Sequence, residues 1–235
     1  MRKLQMAVAA VVSVSILVGI GVGIAVRRSY VYTSATAEER QAYVLSLSQM
    51  PSADTIEDDI QTYLADTDLI AKVRFTGERA DRYNAELSTV EVLEVYVGDK
   101  SYENRTIGMY EQFRFADRAG RIDCLSCFLP MQAQKEYYVF LKRKVYTDAY
   151  QQKLPYEEFR LYCGSFGGCF AAENEPLPFV VVENPTWQKL AEYDFIYRNT
   201  EEFDRCMTQK NAILEYFGIP YTYPTYAELI AHTGA

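Results

Sequence analysis

The spacing of hydrophobic and polar residues changes three times along the chain. Residues 4–26 are almost entirely apolar. Apolar residues then recur at helical spacing to about residue 66, alternate with polar residues up to residue 184, and return to helical spacing beyond it. We therefore predict four parts: an N-terminal membrane anchor (1–28), a juxtamembrane helical neck (29–66), an antiparallel β-barrel domain (67–184) and a helical C-terminal cap packed on the barrel (185–235).

The first part has the length of a membrane-spanning helix. Residues 4–26 carry no charge, and a helix of that length is about 34 Å long, whereas a hydrocarbon core is about 30 Å thick. The run exceeds the roughly 7–15 residues of a signal-peptide core. The nearest small-x-small pattern, Ala35-Thr36-Ala37, lies well beyond it. We expect one uncleaved signal-anchor span in the cell membrane, with the bulk of the chain extracytoplasmic.

Capping patterns predict the helices of the neck and the cap. A capping box at residues 36–39 begins a helix that runs to Pro51, and a second neck helix begins at Thr55. In the cap, a short helix carries Trp187 and Leu190, and Asn199 or Thr200 begins a longer one that ends at Gly218. A second capping box at residues 225–228 opens a last short helix. The apolar face of the first neck helix comprises Tyr43, Val44, Leu47 and Met50.

Six segments between the neck and the cap are rich in β-branched and aromatic residues. They are predicted strands at residues 69–76, 87–97, 104–115, 136–142, 158–163 and 179–183. Gly77 and Gly98 mark turns after the first two strands. Short strands without a long intervening helix indicate an antiparallel barrel or sandwich, and the fold class is α+β.

Three of these segments carry a resemblance to known proteins. They are YLADTDLIAKVRFTGE (63–78), STVEVLEVYVGDK (88–100) and EYYVFLKRK (136–144). The series resembles uncharacterised Gram-positive membrane-anchored cell-surface proteins with an OB-like barrel, similar to the netrin/TIMP-like module. The resemblance implies an OB-like fold. It does not imply protease inhibition, because the predicted span stands where TIMPs carry their N-terminal Cys wedge.

The formal net charge of the chain limits the kinds of molecule that it is expected to bind. Hydrophobic residues make up 49% and charged residues 24% of the 235, as in folded proteins. The first 28 residues hold four of the 24 Lys and Arg and no acid, which leaves 20 basic against 32 acidic residues, a formal charge of −12. With no later Lys/Arg cluster to offset it, this charge disfavours nucleic acid. OB barrels also bind oligosaccharides, and 20 tyrosines offer aromatic faces to sugars. Beside the membrane, a protein or a cell-wall glycan is the expected partner.

The cysteines allow three interpretations. Cys124 and Cys127 form a C-x2-C pair, while Cys163 and Cys169 flank a Gly-rich stretch that we interpret as a hairpin tip. In an oxidising compartment these four are disulfide candidates. The alternatives are a four-cysteine zinc site and a redox-active C-x-x-C pair. Pro130 closely follows the C-x2-C pair and disfavours the helix that a redox motif needs. Cys206 is expected to be a core thiol.

The sequence offers few other candidate catalytic or cofactor-binding residues. The chain has one histidine, His232 near its end, and no phosphate-binding glycine motif, so we predict no cofactor and no catalytic site. We therefore expect a membrane-tethered extracytoplasmic binding or assembly module of the cell surface. The alternatives are a surface enzyme, either a carboxylate-based hydrolase or a thiol–disulfide exchanger, and a cytoplasm-facing zinc adaptor.

Overall fold

A computed structural model gives the structure of the protein. It describes residues 13, 15–23, 35–46, 64–65, 67–82, 85–124, 129–161, 168–172, 178–180, 185–190, 193, 195–197, 199–219 and 225–228. The chain divides into two compact units, Met1–Thr36 and Ala37–Ala235.

The first unit contains a stretch of apolar helix. Residues 13 and 15–23 are helical, and five apolar side chains of this stretch are 54–68% exposed: Ile16, Leu17, Val18, Ile20 and Val22. Within the part of the chain that the structure describes, no helix is both long and apolar enough to cross a membrane. The rest of the predicted span lies outside the described residues, so the membrane anchor stays a prediction.

The second unit contains eleven strands and four helices among its described elements. The strands are β1 (Val44–Ser46), β2 (Leu69–Arg82), β3 (Ala85–Val97), β4 (Thr106–Tyr110), β5 (Phe113–Ala116), β6 (Arg121–Cys124), β7 (Glu136–Arg143), β8 (Glu158–Leu161), β9 (Cys169–Ala171), β10 (Pro178–Val180) and β11 (Phe195–Tyr197). The helices are α1 (Ala37–Arg40), α2 (Asp148–Gln151), α3 (Trp187–Leu190) and α4 (Thr200–Tyr216), with 3-10 turns at Lys100–Tyr102 and Asp117–Ala119.

Five of the strands form a closed barrel, which confirms the α+β class and the predicted barrel. They pair in the order β2-β3-β4-β8-β7, and β7 pairs in turn with β2. The closing ladder matches Leu69 with Leu141 and Arg74 with Glu136. β7 therefore has β2 on one edge, and β8 and then β9 on the other.

The expectation of an entirely antiparallel barrel is wrong for one pair of strands. β4 and β8 run parallel, whereas the other four pairings of the ring are antiparallel. The reason is geometric. Strand direction cannot alternate all the way around a closed ring of five, so at least one pair must be parallel.

Apolar side chains fill the barrel. Alternate residues of the five strands point inward and form a cluster with residues of the connecting segments. Burying each of the larger side chains stabilises the fold by about 1.5–3 kcal/mol. The members from the five strands are Leu69, Ala71, Val73, Phe75, Val90, Val92, Val95, Ile107, Met109, Tyr137, Val139, Leu141, Phe159 and Leu161.

The sequence predicts that the first barrel strand ends before a turn at Gly77, and this prediction is wrong. The strand continues to Arg82, and its pairing with β3 shifts register between Phe75 and Arg79. Gly77 occupies this bulge with a φ of 97°, which glycine adopts without strain. The Thr76 hydroxyl anchors the bulge by donating to the Thr89 carbonyl over 2.9 Å.

Part of the predicted helical neck is instead a strand of a second sheet. Its order is β1-β6-β5. Helix α1 begins where the capping box predicts but ends at Arg40, and β1 follows as a strand parallel to β6. Leu45 is buried here, and its backbone N–H donates to the Pro185 carbonyl over 2.9 Å. Tertiary pairing thus replaces the predicted helix at residues 44–46, while residues 47–63 lie outside the described residues.

Other strand boundaries also differ from the prediction. The segment predicted as one strand at residues 104–115 is two strands, β4 and β5, which belong to different sheets. β6, β9 and β11 are not predicted, and each contains only three or four residues. Such short strands carry too few residues for an alternating pattern to identify them.

The predicted C-terminal helix is confirmed. Asn199 caps α4 by accepting from the Glu202 backbone N–H over 2.9 Å, and Gly218 follows its end with a φ of 65°. Apolar residues of α4 join β11, β9 and the outward side of β2 and β7 in a second core. Its members are Ile70, Phe140, Phe170, Phe195, Tyr197, Phe203, Cys206, Met207, Ile213 and Leu214. Cys206 is a core residue, as predicted.

A substitution at Gly98 tests whether the barrel backbone at this position requires a glycine. Its φ is 106°, and a Cβ there would lie 2.6 Å from the Asp68 carbonyl oxygen. We expect Gly98→Ala to lower the free energy of unfolding by more than about 2 kcal/mol, because backbone strain and a backbone clash act together. Gly120→Ala is the control, since φ is 60° there and nothing lies within 4 Å. Chemical denaturation measures both, and equal losses would contradict the prediction.

Candidate functional site

The outward face of β4, β8 and β7 brings polar and aromatic side chains into rows. Met109, Phe159 and Leu141 point into the barrel, so the residues between them in each strand point outward. Tyr110 pairs with Arg160 across β4 and β8, and Arg160 pairs with Lys142 across β8 and β7. Three strands that are separate in the chain thus align one tyrosine and two cations.

The next row is built around Glu158. Gly108 pairs with Glu158, and the Lys144 backbone N–H donates to the Glu158 carbonyl over 3.0 Å. The Glu158 side chain is buried. Its Oε2 accepts the hydroxyl of Tyr110 over 2.8 Å and the hydroxyl of Tyr146 over 2.6 Å.

These contacts fix the protonation of the two phenols. Burial is the largest cause that raises the pKa of Tyr110 and of Tyr146, and the hydrogen bond to the Glu158 carboxylate adds to it. Both hydroxyls are therefore donors at neutral pH. Their rings stay in place because one carboxylate oxygen holds both.

The segment from residue 144 to residue 157 crosses this face. Lys144 places its Nζ 4.0 Å from the centre of the Tyr110 ring, a cation–π contact. Tyr146 packs edge-on against Tyr150, with ring centres 4.9 Å apart. Near the end of the segment, Glu157 accepts the Tyr102 hydroxyl over 2.6 Å. Both ends of the segment are thus attached to the barrel.

Gly108 allows the segment to lie close to the sheet. A Cβ at this position would lie 2.5 Å from a ring carbon of Tyr156 and 3.2 Å from a methyl carbon of Leu87. The Tyr156 ring therefore packs directly on the backbone of β4. A larger residue at Gly108 would move the ring.

We name the resulting feature the tyrosine–cation surface. Tyr150 and Arg160 are exposed, and its other four members are half-buried. The members are Tyr110, Lys142, Lys144, Tyr146, Tyr150 and Arg160. Three phenol rings and three positive charges lie here, together with the buried Glu158 carboxylate, which accepts hydrogen bonds, and the exposed acid Asp148 in α2.

Two other buried carboxylates are held in structural networks. Glu111 accepts from Arg79 Nε and from the Met131 backbone N–H, both over 2.8 Å, and also from the Ser88 hydroxyl. Asp123 is paired with Arg114 over 2.9 Å and with Arg121 over 2.8 Å. Both carboxylates stabilise the fold, so neither is placed as the acid or base of a hydrolase.

Glu86 is another buried carboxylate, with a different environment. Burial raises its pKa, although the nearby charge of Arg40 lowers it. Arg40 itself forms a two-point pair with Asp117, over 3.0 and 3.1 Å. Glu86 therefore binds a proton more readily than an ordinary glutamate does.

The predicted cysteine sites are only partly described. Cys124 ends β6 and Cys169 begins β9, and both are buried. Cys127 and Cys163 lie outside the described residues, as does His232. No disulfide joins the described cysteines, and the described residues contain no group of three or more His, Cys, Asp or Glu that could hold a metal ion.

The Cys124 thiol is a poor nucleophile. Burial, followed by the charges of Asp123 and Glu111, raises its pKa to about 12. The thiol is thus protonated at neutral pH, whereas a thiol–disulfide exchanger needs the thiolate. This environment disfavours the redox interpretation of the C-x2-C pair.

The hairpin expected between Cys163 and Cys169 is not found among the described residues on either side of that stretch. β8 and β9 do not pair with each other. Each is antiparallel to β7, and they follow one another in the same direction along one edge of that strand. Their shared preference for β7 explains the difference, because β7 is long enough to pair with both.

Comparison with models of known protein families gives no match, and comparison with curated proteins gives none either. The site is therefore interpreted from its own residues.

Sequence reasoning missed the tyrosine–cation surface. The run Lys142-Arg143-Lys144 and the four tyrosines at 146, 150, 156 and 162 are visible in the sequence, and they could have indicated a basic aromatic segment. The addition of Tyr110 and Arg160 depends on the pairing of β4 and β7 with β8. A parallel pair is difficult to infer from local patterns.

The contact between Gly108 and Tyr156 gives a testable coupling. We expect Gly108→Ala to cost about 1–3 kcal/mol of unfolding free energy, because the new methyl group overpacks against the ring. In a Tyr156→Ala background the same substitution should cost less than half as much. Chemical denaturation of the four variants measures the coupling, and additive costs would contradict the predicted contact.

The environment of Glu86 gives a test of pH dependence. Its pKa is higher in the folded state than in the unfolded state, so the folded state binds more protons between these two values, and stability falls as pH rises through them. Glu86→Gln removes this loss. We expect the melting temperature of the variant to equal that of the wild type near pH 4 and to exceed it near pH 8. The exposed Glu78→Gln is the control for loss of one charge, and a deficit of Glu86→Gln at pH 8 would contradict the prediction.

Proposed function

We propose that the protein is a membrane-tethered, extracytoplasmic binding module of the cell surface. In this proposal the barrel is OB-like and the tyrosine–cation surface is its binding face. The apolar N-terminal segment anchors the module, as in the Gram-positive surface proteins that the sequence resembles.

The strand arrangement supports an OB-like barrel. If the barrel strands are counted along the chain, their order around the ring is one, two, three, five, four, and strands three and five are parallel. OB folds are five-stranded Greek-key barrels that bind ligands on strands two and three and on the loops after strands one and four. Here β4 is strand three, and residues 144–157 follow strand four.

A single observation carries the proposal of binding. The barrel interior is filled by apolar side chains, whereas the outward face of β4, β8 and β7 and the segment that crosses it together present three tyrosines and three cations. A ligand would therefore contact the outside of this barrel. Aromatic rings that are fixed by hydrogen bonds lose little conformational entropy when a ligand covers them.

The tether is supported by the first unit. Its described apolar side chains at residues 16–18, 20 and 22 are exposed, and a monomeric soluble protein rarely exposes a large contiguous apolar patch. A lipid bilayer would cover them. An extracytoplasmic location would also permit disulfides among Cys124, Cys127, Cys163 and Cys169, which remain part of the proposal.

Labelling of intact cells with a membrane-impermeant maleimide tests the location. The described native cysteines are buried, so a reporter is needed. Lys100→Cys provides it, because the Lys100 side chain is 78% exposed in a turn of the barrel. We expect the full-length Lys100→Cys protein to be labelled in intact cells and to remain with the membrane fraction.

The wild-type chain is the control, since it shows how much label the native cysteines accept. Labelling of Lys100→Cys only after lysis would reverse the topology and overturn the proposed function. Recovery of the intact chain in the soluble fraction would overturn the tether.

A further inference from the structure

The end of β2 has one edge that the barrel does not use. β7 pairs with β2 as far as Arg74, and the backbone of residues 134 and 135 then bonds to Phe75. Beyond this point β2 continues to Arg82 and pairs with β3. Among the described residues, none outside β2 and β3 hydrogen-bonds to the backbone of residues 79–82.

The register shows which backbone groups this edge presents. In an antiparallel pair, opposite residues alternate between those that exchange two hydrogen bonds and those that point their N–H and C=O groups away from each other. Glu86 is of the second kind, because its carbonyl accepts the Glu111 N–H over 3.0 Å on the side of β4. Its partner Asp81, and Arg79 two residues earlier, therefore direct their N–H and C=O groups to the open edge.

The charges along this edge are self-complementary. β2 ends with the sequence Glu78-Arg79-Ala80-Asp81-Arg82. If a second copy pairs with it in the antiparallel direction and the two Ala80 residues lie opposite each other, residue 78 faces residue 82 and residue 79 faces residue 81. Every acid then lies opposite a base of the other copy. Opposite charges in facing positions stabilise a pair of strands, whereas like charges destabilise it.

The side chains that this pairing needs are accessible. Glu78, Asp81 and Arg82 are exposed, and Ala80 is half-buried. Within the described part of the chain, Glu78 and Arg82 form no ion pair. Arg79 is already paired with the buried Glu111 over 2.8 Å. The contacts between residues 78 and 82 therefore provide most of the complementarity.

We propose that two copies of the protein pair through the ends of their β2 strands, antiparallel and in register at Ala80. Arg79 of each copy exchanges two backbone hydrogen bonds with Asp81 of the other, and Glu78 of each copy pairs with Arg82 of the other. A two-fold axis passes between the two Ala80 residues, so each edge is used once and the assembly closes as a dimer. This inference is independent of the ligand and the location in the proposed function.

A second copy fits this edge better than an unrelated strand does. Any extended segment can supply backbone hydrogen bonds to an open edge. The exposed charges at residues 78, 81 and 82 disfavour a segment that places a like charge opposite them, whereas a second copy supplies the opposite charge each time. The bulge at Gly77 limits the pairing to about five residues, so the contact is short and reversible.

Disulfide cross-linking of the full chain tests the register. In the proposed dimer the two Ala80 residues are a pair without mutual hydrogen bonds, whose Cα atoms lie about 4.5 Å apart. A disulfide spans this distance. We expect the Ala80→Cys protein, purified in mild detergent and treated with copper phenanthroline, to form a covalent dimer.

Glu78→Cys is the matched control. The two copies of residue 78 are offset by four positions, about 13 Å, so Glu78→Cys alone should not cross-link. A mixture of Glu78→Cys and Arg82→Cys chains places the two cysteines opposite each other and should cross-link, which gives a second measurement of the register. The wild type shows the background from native cysteines, and thermal denaturation verifies that each variant is folded.

Charge reversal in the Ala80→Cys background tests the complementarity. Glu78→Arg or Arg82→Glu turns two attractive pairs into two repulsive ones, so each should slow cross-linking about tenfold at low protein concentration. A mixture of the two reversed chains restores opposite charges, and it should cross-link as a heterodimer at about the original rate. Lys100→Glu is the control, since this side chain is 78% exposed elsewhere on the second unit, and the rate should not change.

Three results would overturn the inference. They are equal cross-linking of Ala80→Cys and Glu78→Cys, unchanged rates after both charge reversals, and no recovery in the mixture of reversed chains. Cross-linking of Ala80→Cys in cell membranes to a protein of another mass, in place of a doubled mass, would assign the edge to a different partner and would also overturn it.

Discussion

Both edges of β7 are hydrogen-bonded, and the barrel depends on this strand. β2 covers one edge from Glu136 to Leu141, while β9 and then β8 cover the other. Its inward side chains lie in the barrel core, and its outward Phe140 lies in the second core with α4. The same strand leads into the segment that crosses the tyrosine–cation surface. An error in its register would place Phe140 in the barrel and Leu141 outside.

The strongly alternating strands could be predicted from the sequence. β2, β3 and β7 contain runs of β-branched, leucine and aromatic residues, and each strand has a stretch in which buried and less buried residues alternate. The long helix could also be predicted, because Asn199 and Gly218 mark its two ends. Local pattern was sufficient wherever one face of an element is buried along several residues.

Features that depend on distant partners could not be predicted in this way. The apolar spacing around Val44–Ser46 suits a helix, yet this segment forms a strand because it pairs with β6. The tyrosine–cation surface requires β4 to lie parallel to β8, and nothing near Tyr110 or Arg160 in the chain specifies that neighbour. A candidate site built across strands therefore stays hidden until the register is known.

The tyrosines of this acidic protein have two distinct uses. Tyr110 and Tyr146 donate their hydroxyls to the buried Glu158, and Tyr102 donates to Glu157, which also pairs with Arg143. Others, such as Tyr197 and Tyr226, contribute rings to the second core. The buried Glu158 is thus satisfied by two neutral phenols, whereas the buried Glu111 and Asp123 are paired with arginines.

The closing ladder of the barrel also has a consequence for biosynthesis. The paired residues of β2 and β7 are 62 to 72 positions apart in the chain, from Arg74 with Glu136 to Leu69 with Leu141. Because a ribosome makes β2 first, one edge of this strand waits without its partner until β7 has emerged. A waiting strand edge can pair with another chain. Long separation also slows closure, because the entropy of a large loop is lost before contacts form. During the interval between β2 and β7, the nascent protein therefore carries an open strand edge through which it can aggregate.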